Sequence, residues 1–330
     1  MRVHIVEEPN GDFREVDLAR PAPTTNQVLV RIAASGVNPL DTKIRAGKAT
    51  HAKQPLPAIL GLDMAGTIEE VGSDVARFRP GDEVYGMVGG VGGLQGTLAE
   101  FIAADADLIA RKPSNLTMCQ AAALPLSIIT AWEGLVDRAN VSAGQRVLIH
   151  AGAGGVGHVA VQIASAFNAQ VFATVSAEKR HIVESFGASP IDYRSVSVRE
   201  YVAASTGGTG FDIVYDTVGG STLDASFEAV KRYTGHVVSC LGWGSHSLAP
   251  LSFRGATYSG VFTLLPILTG EGRPHHGEIL AKAAALVEAG KLLPLLNERI
   301  HSRGEIAAAH TLVESGALGK VVVDFRDRSF

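Results

Sequence analysis

The most regular hydrophobic patterning lies in the middle of the chain. Arg146–His150 (RVLIH) is a short apolar run of the kind that forms a buried strand. A glycine-rich turn follows. Beyond it Val156, Val159, Ala160, Ile163, Ala164 and Phe167 recur at helical spacing, which gives one apolar face. Strand and helix patterns then alternate. Strands are predicted at Gln170–Val175, around Pro190-Ile191, at Phe211–Tyr215, His236–Leu241 and Thr257–Phe262. Between them helices are predicted at Ala177–Phe186, closed by Gly187, at Val196–Ala204 and at Thr222–Val230. Six strands joined by helical crossovers imply an α/β fold with a doubly wound parallel sheet. A broken helical segment precedes it, Ala121–Leu124 and Ile128–Val136, interrupted at Pro125.

The flanks read differently. Residues 1–120 are β-rich, with strands at Gln27–Ala33, Ala65–Val71, Glu83–Met87 and Thr97–Ala103, and a turn at Arg79-Pro80-Gly81-Asp82. This is the pattern of a partly open barrel. Gly86–Gly96 (GMVGGVGGLQG) holds further glycine pairs, but strands flank it and no helix follows to present N–H groups. It is expected to be a mobile connection. After residue 265 come helices at Gly277–Ala289 and Glu305–Glu314 and a strand at Lys320–Phe325, expected to rejoin the barrel. The expected division is therefore residues 1–120 and 265–330 as one domain, with residues 121–264 inserted as a second.

Composition narrows the function classes. Of 330 residues, 46% are hydrophobic and 19% charged, and the net charge is -4 without a Lys/Arg run. Nucleic acid and membrane surfaces have no electrostatic support as partners, and the expected partner is a small-molecule substrate. The N-terminus lacks an apolar signal core, and no apolar run reaches the roughly 18 residues of a membrane span. Two isolated cysteines, Cys119 and Cys240, argue against a disulfide framework and fit a reducing cytoplasm.

The candidate chemistry begins at the turn. Gly152, Gly154 and Gly157 form G-x-G-x-x-G between a strand and an amphipathic helix, with Ala153, Gly155 and Val156 completing the loop. Gly152 permits the sharp turn, Gly154 lets the backbone approach a pyrophosphate, and Gly157 lets the helix lie close on the strand. The helix N-terminus offers N–H groups to the phosphates. An NAD site places an acidic residue at the end of the second strand to hold the ribose 2′-OH. Here that strand ends at Ser176, and Lys179 and Arg180 follow, so NADPH is the expected cofactor. Ser176 is also expected to cap the next helix.

Together with Ala34–Gly47 (ASGVNPLDTKIRAG), Gly61–Gly72 (GLDMAGTIEEVG) and Phe78–Tyr85 (FRPGDEVY), the loop Ala151–Gly157 (AGAGGVG) resembles the medium-chain dehydrogenase/reductase superfamily over nearly the whole chain. Within it the chain is similar to the zinc-free quinone oxidoreductase (zeta-crystallin-like) branch. The resemblance implies a GroES-like barrel as the catalytic domain, 1–120 and 265–330, and an inserted Rossmann NADP-binding domain, 121–264. Where zinc-bearing relatives have a Cys, this chain has Asn38. Where they have Gly-His-Glu, it has Gly61-Leu62-Asp63. A catalytic zinc needs three protein ligands and an open position, so no zinc is expected.

Without a metal to polarise a simple carbonyl, a conjugated acceptor suits the remaining apparatus. The expected activity is NADPH-dependent reduction of a quinone or an α,β-unsaturated carbonyl compound. The alternatives are a zinc-type alcohol dehydrogenase acting on another carbonyl or alcohol, and a protein that binds NADPH without turnover. By resemblance, Asn38 donates its amide to the developing oxyanion, and Asp41 lies beside it, with Arg45 four residues on as its expected structural partner. Thr130, Leu241 and Gly242 sit at the nicotinamide, and Tyr193 lies beside the 2′-phosphate. Lys43 stands where related quinone reductases often carry an aromatic residue, which would favour an anionic or polar acceptor. Relatives pair through the last Rossmann strand, so a homodimer through Thr257–Phe262 is expected.

Overall fold

A computed structural model describes residues 1–326, and the last four residues of the expected catalytic segment, 327–330, lie outside it. The chain forms two compact units. Among the described residues, one comprises 1–126, 264–289 and 294–326; the other comprises 127–263 and 290–293.

The first unit is β-rich. Strand β1 (Arg2–Val6) pairs antiparallel with β2 (Arg14–Asp17) and β4 (Ala58–Ile59). The larger sheet is built on β3 (Gln27–Val37), which pairs with both β5 (Asp63–Val71) and β7 (Phe101–Asp105). β6 (Glu83–Met87) and β8 (Ile109–Arg111) extend the sheet beyond β5. β3 runs four residues past its expected end, through Ala-Ser-Gly-Val, because tertiary pairing overrides the weak strand preference of that segment. Register shifts at Leu29/Val30 and Ile32/Ala34 bend it and blur the strict apolar alternation. Helix α1 (Pro39–Arg45) follows β3 directly, and α2 (Met118–Ala122) precedes the break at Pro125.

The second unit is the expected parallel sheet. It follows α3 (Pro125–Trp132), which widens into a π-helical turn at Glu133–Arg138 in place of the expected continuous α-helix. Tyr215 packs so tightly there that a Cβ on Gly134 would stand 2.6 Å from its ring. The strands are β9 (Arg146–Ile149), β10 (Gln170–Val175), β11 (Ser189–Asp192), β12 (Ile213–Asp216), β13 (His236–Ser239) and β14 (Thr257–Gly260). Their order is β11-β10-β9-β12-β13-β14, and every neighbouring pair is parallel. The order reverses beside β9, so the crevice for a ligand opens at the carboxyl ends of β9 and β12. Helices α4 (Gly155–Ala166), α5 (Arg180–Ser185), α6 (Val198–Thr206) and α7 (Ser221–Ala229) supply the crossovers. Leu148, Phe211, Val214, Leu223, Phe227 and Val237 are at most 1% exposed and form the core between sheet and helices. Full burial of each such side chain contributes about 1.5–3 kcal/mol.

The chain then returns to the first unit. β15 (His301–Ser302) pairs with β16 (Val321–Asp324), and β16 pairs antiparallel with β3. The expected mobile connection at Gly86–Gly96 is instead packed down. Gly92 N–H donates to Ala52 O, Gly96 N–H to Ile59 O, and Gln54 bonds both Gly93 N and Leu94 O. Its glycines permit close backbone approach: a Cβ on Gly90 would lie 2.5 Å from Gly61 O, and Gly90 has φ +73.

Candidate functional site

The glycine loop follows β9 at the switch point. Gly152 N–H donates to Thr174 O, and Ala151 N–H to Thr174 Oγ1, which ties the loop to β10. The three motif glycines meet different constraints. A Cβ on Gly152 would stand 2.5 Å from Ala173 Cβ, and one on Gly157 only 2.0 Å from Ala151 O. Those two are therefore fixed by packing. A Cβ on Gly154 meets Ala151 alone, its O at 3.0 Å and its Cβ at 3.8 Å, and is open on its other sides. Gly154 is the N-cap of α4 and has no side chain to occupy the first-turn N–H groups. An open side at Gly154, a free helix N-terminus and packing-fixed glycines on either side fit a dinucleotide pyrophosphate.

Below the loop, His150 is buried at the end of β9, with Nδ1 3.2 Å from Thr174 Oγ1. Burial holds its pKa down to about 4, against the opposing pull of Asp216, so it is neutral at pH 7. Asp216 ends β12 and accepts hydrogen bonds from Val218 N, Gly219 N and Ser239 Oγ. Ser239 also accepts from Leu241 N, which fixes the segment after β13. β13 stops at Ser239, two residues short of expectation, so Leu241 and Gly242 lie just beyond it. Gly242 abuts Tyr258, whose hydroxyl would be 2.2 Å from a Cβ there.

The parallel register Val175↔Asp192 brings Ser176 and Tyr193 to neighbouring strand ends. Ser176 takes the N-cap position of a 3₁₀ turn, Ala177–Lys179, but its hydroxyl serves no helix N–H. It bonds the Glu178 carboxylate instead, which holds that carboxyl below its usual value. The expected capping bond is thus replaced. Tyr193 is half exposed, and the Arg194 guanidinium lies 5.6 Å from its ring centroid and 3.7 Å from Glu178. Arg194 is not among the expected residues; the pairing of β10 with β11 sets it beside Glu178, whose carboxylate the Ser176 hydroxyl bonds. Arg180 turns along its own helix toward Glu184, at 3.8 Å.

Thr130 is buried on α3. Thr263 Oγ1 lies 3.1 Å from Thr130 Oγ1 and 2.9 Å from Glu133 Oε2. The one Thr263 hydroxyl proton is thus shared between two acceptors, Thr130 Oγ1 and the Glu133 carboxylate. Tyr215 OH donates to the Thr130 carbonyl at 2.7 Å. Both partners of Thr130 arrive from distant parts of the sequence.

The first unit holds a buried polar quartet: Asn38, Asp41, Asp63 and Lys320 are each at most 5% exposed. Strand register assembles it. Gly36 pairs with Asp63 across β3–β5, and Val37 pairs with Val321 across β3–β16, so the next residues, Asn38 and Lys320, come face to face. Gly36 must be glycine, since a Cβ would stand 2.2 Å from Ala122 O. Asn38 is held on three sides. Its backbone N–H donates to Asp41 Oδ2 at 2.7 Å, its Nδ2 donates to Asp63 Oδ2 at 2.9 Å, and its Oδ1 accepts from Lys320 Nζ. Asp63 Oδ1 also accepts from Leu126 N. Asp41 therefore serves Asn38, and the expected pairing with Arg45 is not made. Arg45 instead donates to Gly11 O and lies over the Phe13 ring, because Asp41 turns inward at the start of α1 and Arg45 leaves its far end.

Burial dominates the electrostatics of the quartet. It raises Asp41 to about 7, with neighbouring Asp63 adding to the rise and the Asn38 N–H, Lys320 and the Gly61 N–H opposing it. It raises Asp63 to about 6 against Lys320, Asn38 and the Leu126 N–H. It lowers Lys320, against the opposing pull of Asp63 and Asp41. The group does not fit a zinc ion. Leu62 is buried hydrocarbon with no donor atom, and the Asn38 oxygen already faces an ammonium that would repel a dication. Among the described residues, no group of three or more His, Cys, Asp or Glu is placed to hold a metal. Lys43, the candidate acceptor-facing residue, is exposed on α1. Among the described residues, no helix is long and apolar enough to cross a membrane.

Comparison with known proteins agrees with this architecture. Residues 24–114 match the alcohol dehydrogenase GroES-like domain family, and residues 155–270 match the zinc-binding dehydrogenase family. The chain is 35% identical to the NADPH-dependent alkenal/one oxidoreductase, chloroplastic, of Arabidopsis thaliana, covering 94% of this chain and 75% of that protein. An alcohol dehydrogenase superfamily protein from Novosphingobium aromaticivorans is 58% identical, with a TM-score of 0.97 over 99% of this chain and 100% of that one. The quinone oxidoreductase from Coxiella burnetii is 31% identical, with a TM-score of 0.83 over 99% of each chain.

Proposed function

The chain belongs to the medium-chain dehydrogenase/reductase superfamily, among its quinone and enone oxidoreductases, and from that premise we propose that it is an NADPH-dependent, metal-free reductase. Its acceptor is a quinone or an α,β-unsaturated carbonyl compound. NADPH, when bound, supplies the hydride. The chain's own residues bind, orient and stabilise charge. Gly152–Gly157 cradle the pyrophosphate with backbone N–H groups. Ser176, Lys179, Tyr193 and Arg194 meet the 2′-phosphate, and Thr130, Leu241 and Gly242 hold the nicotinamide end. The segments 1–120 and 265–330 carry catalysis, and 121–264 carries the cofactor.

The observation that carries this reading is the buried quartet. A donor amide, Asn38, is locked by an ammonium and two carboxyl groups where a metal site would need ligands. Hydride addition to a conjugated carbonyl leaves negative charge on its oxygen, and Asn38 is the donor assigned to it. Asp41 positions Asn38 rather than acting as a base, and Lys43 biases the acceptor toward polar or anionic forms.

Chelator-treated protein with NADPH, and NADH in parallel, is expected to reduce at least one of a quinone, an enone and an unsaturated acid. Activity that returns only with added zinc would overturn the metal-free assignment. Tight NADPH binding without turnover on any acceptor would favour a binding protein. We further propose a cytoplasmic homodimer joined along β14, the sheet's edge strand, with the exposed Trp243 and Phe262 rings nearby. A concentration-independent monomer mass in sedimentation would remove the dimer.

A further inference from the structure

Lys320 stands 282 residues from Asn38 in sequence and is the only cation of the quartet. A lysine is rarely buried unless its charge is used. Here it is 5% exposed, and its ammonium donates to the amide oxygen of Asn38. A hydrogen bond to that oxygen settles which way the amide lies, since an ammonium has only donors and the amide nitrogen has none to accept. With Oδ1 turned to Lys320, Nδ2 must face Asp63, as it does at 2.9 Å. One of the two Nδ2 hydrogens is thereby used. The other has no partner in the network.

We propose that Lys320 is a positioning residue for reduction: it fixes and polarises the Asn38 amide so that the remaining Nδ2–H meets the oxygen of the acceptor. The inference rests on the reductase reading above. A positive charge against the amide oxygen draws electron density from the nitrogen and strengthens both N–H donors. Asp63 neutralises the ammonium and holds the other amide hydrogen. Asp41 fixes the Asn38 backbone, so that the amide is the one element left to face the acceptor. The charge that reaches the acceptor comes through Asn38, and Lys320 itself need not touch it.

The informative variant is the double substitution K320M/D63N. Lys320→Met alone would strand a buried carboxylate and risks failing to fold. Removing both charges together avoids that. The amide introduced by Asp63→Asn would use its oxygen for Leu126 N–H and leave its NH2 toward Asn38, and the Asn38 amide would turn over to accept from it. The hydrogen bonds at position 63 survive, but the bond from Lys320 and the orientation it sets are lost. The expected result is a folded protein with unchanged NADPH affinity and unchanged KM for NADPH, while kcat falls on the order of 10²-fold, as for loss of one oxyanion donor. A kcat within threefold of the parent would overturn the proposal and leave Lys320 as charge balance only.

Two controls make every outcome decisive. NMR of the unaltered protein with labelled Asn and Lys is expected to show a charged Lys320 ammonium with a cross-peak to the Asn38 side chain, and slow exchange of that side chain's amide protons. A neutral amine, or an Asn38 amide exchanging like a surface residue, would overturn the proposal even if the double variant fails to fold. If the unaltered protein reduces no acceptor, the reductase reading fails by itself, and the NMR still decides whether Lys320 orients Asn38.

Discussion

The glycine loop of the Rossmann unit and the buried quartet of the barrel unit solve the same problem, holding polar groups in fixed places, by opposite means. The loop uses backbone. Six consecutive residues, Gly152–Gly157, run from the turn after β9 through the first residues of α4 and leave N–H groups free, and no charge is buried. The quartet uses side chains. Asn38, Asp63 and Lys320 come from three strand ends and Asp41 from the first turn of α1, and each charge taken from water needs a partner. The loop depends on what is missing, a Cβ, and tolerates no bulk. The quartet depends on four groups tied to one another by hydrogen bonds and charge, and tolerates no unpaired removal.

The largest expected effect tests the first half of that contrast. A Cβ on Gly157 would stand 2.0 Å from Ala151 O, so Gly157→Ala forces α4 off the loop. A loss of about 4–5 kcal/mol in unfolding free energy is expected, with NADPH binding abolished. Gly154→Ala meets only one contact at 3.0 Å and keeps an ordinary φ of -82. Its stability should move by less than about 1 kcal/mol, while NADPH affinity falls at least tenfold, because the methyl stands where the pyrophosphate approaches. Denaturant titration and fluorescence titration of both variants measure this. Equal stability losses at the two positions would show that the glycines share one packing role.

The same contrast explains what is legible in the sequence. The six-stranded sheet and the loop follow from local periodicity, and glycine spacing carries its own mechanism. The barrel's strands are legible where they alternate, but β3 reads as ending at Ala33 because Ala-Ser-Gly has little strand preference of its own. Asn38 and Asp41 stand out by resemblance. Their partner Lys320 looks like the first residue of an apolar closing strand, and no local signal separates it from a surface lysine. The bond between them is a product of register across β3 and β16. Arg194 is the same case on a smaller scale, made a neighbour of Glu178 by the pairing of β10 with β11. Helix spacing pairs Asp41 with Arg45, yet a backbone N–H at the start of the helix is the nearer partner.

A pH series tests whether the quartet carries the cost that the loop avoids. Burial, and next the Asp63 charge, raise Asp41 from 3.8 to about 7, and Asp63 itself rises to about 6. A carboxyl raised on folding binds its proton more tightly in the native state. Its stabilising contribution is complete below its unfolded value and is lost as pH climbs through the folded one. Lys320 and Asp63 are the charged groups facing Asp41. Asp41→Asn keeps an oxygen for the Asn38 N–H and removes the titration. The variant should therefore gain on the parent between about pH 4 and pH 8, by up to about 4 kcal/mol. Urea melts at stepped pH read the difference. A gap that stays constant with pH, or that narrows upward, would mean the quartet buries no such cost.

The smallest effect lies at the rim of the Rossmann site, where solvent screens every charge. Arg194 is exposed, with its side chain 62% accessible, and it already shares its charge with Glu178 at 3.7 Å. Solvent therefore screens its attraction for a bound 2′-phosphate. Arg194→Ala should weaken NADPH binding three- to tenfold, leave NADH binding unchanged, and lose that distinction at high salt as the Debye length shortens. Arg180, which leans along its helix to Glu184, serves as the control: Arg180→Ala should leave the NADPH-to-NADH ratio where it was. If instead Arg180 proved the stronger of the two, helix position rather than strand pairing would govern cofactor choice. The rim would then belong, like the loop, to what local sequence alone determines.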